Sequence, residues 1–463
     1  MTGLLLAYYG DDFTGSADVM EVLQWAGLRT VLFLQPPSPQ QFAAFPGLRA
    51  FGVAGWSRSM SPAEMDTELK PVLSRLRDSG AAIVHYKTCS TCDSSPEIGS
   101  IGRVLEHGRE LFGNAVIPIM VAAPNLGRYQ VFGNLFARSG LDSEPYRLDR
   151  HPTMRHHPIT PMTESDVRSH LAQQTHLKVA LHDILQVQDG TPCDLAKHAA
   201  SDFAAVLFDV LYPEHLANIG AAMQAMADVK APIFAVGSSG VEYALTAHWA
   251  DSGQMTARQT HPAGRPRFSA TDQLVVVTGS CSPVNDRQIT WAEQNGFETI
   301  PLNPARLVSS QTSDDETIAT VQIAVERLRQ GANIILHSSR GPDDPRISET
   351  RDAMRSLNLS DTEIKLHSGR MLGPMLGRIL RGILTAHPLR RVGVAGGDTS
   401  GYIARELQLT ALEAIAPVAP GSPLCRAHAD NDLHDVEFFF KGGQVGKDDV
   451  WSTMLHGTHS ARG

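Results

Sequence analysis

Short apolar runs alternate with amphipathic stretches along most of the chain, the pattern of βα units that feed a largely parallel sheet. Leu4–Tyr9, Thr30–Leu34, Ala50–Ala54, Ala82–His85, Val116–Val121, Val179–Leu181, Ala205–Asp209 and Pro232–Val236 suit buried strands and are too short for buried helices. The first helix is marked by Val19, Val22, Leu23 and Ala26, which share one face. Gly27 stands where a C-cap belongs, and Thr14 or Ser16 can cap the start. Between Gln254 and Gln273 the periodicity vanishes and polar residues, Pro and Gly take over, which predicts a linker. Alternation restarts with Leu274–Thr278, Ile334–His337, Val392–Ala395 and Val436–Phe440. The expected fold is α/β, with two α/β domains near residues 1–255 and 270–463. Both should have largely parallel sheets with ligands at their carboxyl edges.

Composition narrows the function classes. The 49 acidic residues outnumber the 40 basic ones, for a net charge of −9, which argues against a general nucleic-acid or membrane-surface binder. No run approaches the roughly 18 apolar residues of a membrane span. The N-terminal apolar run ends at Gly10-Asp11-Asp12 with no basic segment before it, unlike a signal peptide. Five cysteines, an odd number, do not make a disulfide framework. A cytoplasmic, enzyme-sized protein is expected, with small-molecule partners, no nucleic acid and no membrane; homo-oligomerisation is left open.

The chemistry gathers where strands break into turns. Val392–Ala395 runs into Gly396-Gly397-Asp398-Thr399-Ser400-Gly401, with a helical segment from Tyr402 to Leu407 behind it. Such a turn leaves backbone N–H groups free at the positive end of a helix dipole, an anion cradle suited to phosphate. Leu274–Thr278 runs into Gly279-Ser280-Cys281-Ser282, with Ser282 as cap and Pro283 at the first helical position. Val436–Phe440 runs into Lys441-Gly442-Gly443, and Gly421-Ser422 sits in a Pro-rich turn. Neither a Walker P-loop nor a Rossmann fingerprint is present. In the first half, Asp11 and Asp12, Arg58, Lys87, Asp93 and Ser94, and Arg128 all follow candidate strands, and either aspartate can also serve as a helix cap. Arg and Lys bind carboxylates, and Asp and Ser pair with hydroxyls, so the set suits a small hydroxylated acid.

The same residues carry a resemblance. Gly10-Asp-Asp-Phe-Thr-Gly-Ser-Ala-Asp18, Tyr86-Lys-Thr-Cys-Ser-Thr-Cys-Asp-Ser-Ser95 with Ile98-Gly-Ser-Ile-Gly102, Gly279-Ser-Cys-Ser282 and Gly396-Gly-Asp-Thr399 resemble, in order along the chain, the four-carbon acid sugar kinase family, once called DUF1537. The resemblance implies an N-terminal domain for a sugar acid, a C-terminal domain for ATP, and phosphoryl transfer to the terminal hydroxyl in the inter-domain cleft. The acid would be a tetronate, a 3-oxo-tetronate or a branched 3-oxo-isoapionate. Asp12, Arg58, Lys87, Asp93 and Ser94 would contact it, with Asp11 and Arg128 beside them. Ser280, Ser282, Gly396, Gly397, Asp398, Thr399, Gly421 and Gly443 would hold the nucleotide. Asp12 is the first choice to take the hydroxyl proton and Asp93 its rival. Mg²⁺ should arrive with ATP and keep several waters, so no protein metal ligand is named. In one departure, this chain reads Asp93-Ser94-Ser95-Pro96-Glu97-Ile98 where some branches carry an Arg-Gly after the Asp-Ser-Thr segment, so the acid's shape is not fixed.

Two other classes compete. A nicotinamide-dependent oxidoreductase of a hydroxy acid would need a dinucleotide fingerprint, and a non-catalytic sugar-acid or nucleotide sensor would need a docking element; neither is visible. Cys89-Ser-Thr-Cys92 could be redox-active or half a zinc site, but no second pair exists. His151, His156 and His157 read as solvated loop or rim residues, Met371–Leu376 as core packing, and the tail after His456 as frayed.

Overall fold

The chain divides into two compact units, residues 1–31 with 35–260, and residues 32–34 with 261–463. The computed structural model describes residues 3–113, 116–139, 143–157, 159–197, 203–227, 232–255 and 266–458. Half of the predicted linker, residues 256–265, and the end of the tail, 459–463, lie outside the described residues.

The first unit is built on a parallel sheet. Its strand order is Ala50–Ala54, Leu6–Gly10, Ile83–Lys87, Ile233–Gly237, Ile117–Met120, Ala205–Phe208, Val179–His182. Most strands are apolar throughout because helices cover both faces of such a sheet; Leu6, Ala7 and Tyr8 are fully buried. The chain leaves Leu6–Gly10 toward one neighbour and later returns on its other side. Ligands in open α/β sheets bind at such a reversal, beyond the strand's carboxyl end. The predicted strands all form, with ends shifted by one or two residues. A separate antiparallel sheet, Arg128–Val131, Asn134–Arg138 and Pro145–Arg147, was not foreseen.

The first helix spans Phe13–Ala26 and ends on Gly27 as expected, but its N-cap is Asp12, which accepts from Gly15 N. Thr14 and Ser16 lie inside the helix, and their hydroxyls donate back to Asp12 at 2.8 and 2.6 Å. The carboxylate reaches the third amide of the helix, so it takes the position assigned to the hydroxyls.

In the second unit, Phe297–Pro301, Asn333–His337, Val275–Thr278, Arg391–Ala395 and Glu437–Lys441 lie side by side and parallel. The hairpin Leu409–Ala419 and Ser422–Ala429 extends the sheet antiparallel, and Leu32 and Phe33 pair with its outer strand. Fully buried Arg391 anchors the start of its strand through Glu437 (Nε–Oε2 2.7 Å) and Met454 O (2.7 Å). Met371–Leu376 falls in the long helix Asp361–Ala386, which contains Pro374; Leu376 is fully buried, while Met371 and Leu372 pack against the Val308, Met354 and Ile364 cluster. His151 is buried rather than solvated, because its Nδ1 accepts from Thr153 N and Met154 N and holds the turn together.

Candidate active site

Every polar residue anticipated in the first unit lies beyond the carboxyl end of a parallel strand. Asp11 and Asp12 follow Leu6–Gly10, Arg58 sits in the Ser57–Ser59 turn after Ala50–Ala54, and Lys87 ends Ile83–Lys87. Main-chain bonds stitch these ends together: Asp11 N donates to Lys87 O (2.8 Å) and Arg58 N to Asp11 O (3.0 Å). Arg58 forks onto Asp11 through Nη2–Oδ1 (2.8 Å) and Nε–Oδ2 (3.1 Å), and its Nη2 also reaches Asp12 Oδ1 (3.0 Å).

The two aspartates differ in character. Burial raises Asp11 above the usual carboxylate value despite the pull of Arg58. For Asp12, burial pushes upward, but Arg58, Lys87, the Thr14 hydroxyl and the Gly15 amide together bring it below the usual value. Three donors occupy the oxygens of Asp12, so it behaves as a fixed anion that orients Arg58.

Asp93 is arranged differently. Its Oδ1 accepts from Thr91 Oγ1 (2.7 Å), and no described group bonds its second oxygen. Ser94 is turned into the protein: its hydroxyl donates to Cys92 O (3.0 Å), meets His170 Nε2 (2.9 Å) and accepts from Gln174 Nε2 (2.9 Å). Burial lowers His170 below the usual imidazole value. His170 and Gln174, four residues apart in the chain, carry no local motif and were missed. Arg128 Nη1 donates to Leu126 O (3.1 Å) and Arg138 O (3.1 Å), its Nε is buried without a partner, and it feels the charge of Asp93. Among the described residues no carboxylate pairs with Arg128, in contrast to Arg58.

A buried His–Glu contact also escaped the sequence reading. His85 Nδ1 lies 2.5 Å from Glu242 Oε1, both side chains are fully buried, and His85 Nε2 faces Gly237 O at 3.2 Å. Thr88 N donates to the same carbonyl (2.6 Å), so the pair fixes the backbone just past Lys87.

In the second unit, Gly397–Glu406 is helical, so Gly397, Asp398 and Thr399 form its first turn rather than a loop before it. Gly396 adopts φ 133°, open to glycine alone, and its N donates to Lys441 O (2.9 Å). Ser282 caps Pro283–Gln294 as expected, accepting from Asn285 N (3.1 Å), and its hydroxyl donates to Gly443 O (2.6 Å). A Cβ on Gly443 would overlap Ser280 Oγ and lie 3.3 Å from Ser282 Oγ, and one on Gly396 would lie 2.9 Å from Thr399 Oγ1. Ser280, Ser282, Gly396, Thr399 and Gly443 therefore converge. Gly421 occupies the turn of the hairpin, which accounts for its left-handed φ of 70°. The first-turn amides of the ten-residue helix and the side-chain-free surface at Gly443 fit a phosphate.

The Cys89–Cys92 pair is not poised for redox chemistry. All five cysteines are free, and burial raises Cys89 to about 11 and Cys92 higher still. Among the described residues no three His, Cys, Asp or Glu side chains cluster to hold a metal, and no helix is long and apolar enough to cross a membrane.

The fold is that of a two-unit α/β protein, with a cluster of charged and polar side chains at the strand ends of one unit and converging glycine and serine turns on the other. Comparison with known proteins agrees. Residues 6–245 match the model of a sugar-binding N-terminal domain, and residues 275–451 that of a nucleotide-binding C-terminal domain. The chain is 44% identical to the 3-oxo-isoapionate kinase of Paraburkholderia graminis, covering 96% of this chain and 92% of that one. It is 29% identical to the 3-oxo-tetronate kinase of Pseudomonas savastanoi pv. phaseolicola, covering 97% and 96%. A solved chain from Salmonella typhimurium LT2 shares the fold with a TM-score of 0.74 at 23% identity, over 98% of both chains. The chain belongs to the four-carbon acid sugar kinase family, formerly DUF1537.

Proposed function

We propose that this sugar-acid kinase moves the γ-phosphoryl group of ATP to the terminal hydroxyl of a branched 3-oxo acid of the 3-oxo-isoapionate type. The structural observation that carries the phosphotransfer reading is the convergence of the Gly396–Thr399 helix start with Ser280, Ser282 and Gly443. The choice of acid rests on identity, 44% to a 3-oxo-isoapionate kinase against 29% to a 3-oxo-tetronate kinase.

ATP with its Mg²⁺ supplies the transferable group and neutralises part of its charge. Amides at Gly397 to Thr399 and the surface at Gly443 hold the phosphates, beside Ser280, Ser282 and Asp398. Lys87 and Arg128, neither tied by a hydrogen bond to a carboxylate among the described residues, receive the anionic and carbonyl oxygens of the acid. Asp93, with one oxygen open, accepts the hydroxyl proton. Asp12 and Asp11 hold Arg58 at the rim of that site, and Ser94 braces the loop that carries Asp93.

The test is ADP release with ATP, Mg²⁺ and a panel of 3-oxo-isoapionate, 3-oxo-tetronates and tetronates, with ³¹P NMR of the product. We expect the highest kcat/KM with the branched acid and a new terminal phosphomonoester. Faster turnover of a linear acid overturns the substrate assignment. No ADP release with any acid, or an absorbance change on adding NAD⁺ and acid alone, overturns the kinase reading.

A further inference from the structure

The nucleotide site has a cation at its root that the glycine turns do not explain. Lys441 ends the Glu437–Lys441 strand, directly before Gly442 and Gly443, and its carbonyl accepts from Gly396 N (2.9 Å). Its main chain therefore joins both turns that converge on Ser280 and Ser282, and its Nζ reaches the carbonyl of Gly442 in one of them. The residue is fully buried, and among the described residues Nζ makes a single hydrogen bond, to Gly442 O (3.1 Å). The same Nζ lies 5.7 Å from the centre of the Trp451 ring, whose buried Nε1 has no hydrogen-bond partner among the described residues.

Among the described residues no titratable group offsets this charge. Of the charged residues on neighbouring elements, Asp286 pairs with Arg340, Arg287 with Asp448, and Arg391 with Glu437 at the far end of its strand, while Asp398, in the first turn of the packed helix, bears on Tyr402. Lys447, Asp449 and Asp398 exert no resolved charge effect on it. Burial is the sole cause that lowers Lys441 to about 7. An isolated buried ammonium is costly, and proteins keep one only where it is paired or used.

We propose that Lys441 is the electrostatic anchor of the nucleotide site, a buried ammonium whose counter-charge is the polyphosphate held by the Gly396–Thr399 helix start and the Gly443 turn. The inference rests on the nucleotide reading given above and deepens it. Lys441 acts through the field it places beneath the two turns, and low dielectric makes that field strong. Arrival of the anion favours the charged lysine, so binding and protonation are coupled.

Calorimetric titration of MgADP and MgATP into the wild-type protein and Lys441→Met, at pH 6.5 and pH 8.5, tests this. At pH 6.5 the variant should bind at least tenfold more weakly, a loss of about 1.4 kcal/mol. The wild type should weaken from pH 6.5 to 8.5 and take up protons at pH 8.5, read from two buffers of different ionisation enthalpy; the variant should do neither. Equal affinities and parallel pH profiles overturn the proposal and leave the kinase reading standing. If the variant does not fold, the wild-type titration decides alone, and absence of proton uptake at pH 8.5 overturns it. Failure of the wild type to bind any nucleotide overturns both this inference and the reading beneath it.

Discussion

Arg58 grips both carboxylate oxygens of Asp11, at 2.8 and 3.1 Å, across 47 residues of sequence. The fork ties the loops after two neighbouring strands into one rigid rim and consumes the guanidinium. Arg58→Met would leave Asp11 and Asp12 as buried carboxylates with one cation fewer. We expect a loss of about 2–4 kcal/mol in urea unfolding, discounted for the partly exposed guanidinium. Arg58→Lys should recover only part of this, because a point charge cannot span two carboxylates. Wild-type stability in Arg58→Met would show that the fork is not structural.

The open oxygen of Asp93 and the filled ones of Asp12 predict different phenotypes. Asp93→Asn should lower kcat at least 100-fold, about 2.7 kcal/mol of transition-state stabilisation, with little change in Tm. Asp12→Asn should lower both activity and Tm, since it weakens a helix cap and the Arg58 contact together. Near-normal turnover in Asp93→Asn would return the base role to Asp12.

Gly443→Ala places a methyl group against the Ser280 and Ser282 hydroxyls. Nucleotide affinity should fall at least tenfold, while binding of the acid, followed by calorimetry without nucleotide, should persist. Unchanged nucleotide affinity would separate Gly443 from the cradle.

Thiol chemistry offers a check without substrate. Cys281, in the turn between Ser280 and Ser282, is exposed, whereas Cys89 is raised to about 11 and Cys92 is buried. Alkylation at pH 7.5, mapped by mass spectrometry, should modify Cys281 and spare Cys89 and Cys92. MgADP should slow the reaction at Cys281 but not at Cys193, which is also exposed.

The Lys441 ammonium should shape stability with pH in the nucleotide-free protein. Its folded value of about 7 lies below its ordinary 10.5, so the folded state is penalised wherever the lysine is charged. The penalty is fully present below pH 7 and fades as the pH rises toward 10.5. Lys441→Met should therefore raise Tm most at pH 6, with the gain shrinking toward pH 10. A gain independent of pH would mean that Lys441 titrates normally.

The sheets were largely legible because most parallel strands, buried on both faces, announce themselves as apolar runs; the parallel strand Phe297–Pro301 was not, because Glu298 and Pro301 are exposed and break its pattern. The hairpin Leu409–Ala419 and Ser422–Ala429 was not, since its burial alternates unevenly along an antiparallel pair. Gly421 lies in the hairpin turn, where a left-handed glycine is needed whether or not the turn meets a phosphate. His170 and Gln174 had no signal at all: they reach Ser94 from 76 and 80 residues away.

By itself, then, the chain's pattern determined the α/β architecture, the two-part organisation and the strand ends at which chemistry gathers, all consequences of interactions within a few residues. Tertiary structure alone decided how the charges are shared: that Arg58 is spent on Asp11 and Asp12, that Asp93 keeps an oxygen open, and that Lys441 has no carboxylate. Those outcomes depend on burial and on partners as much as 161 residues apart, as for Ser282 and Gly443. A sequence lists its ionisable groups, but their charge state and availability follow from the solvent and neighbours that folding leaves them.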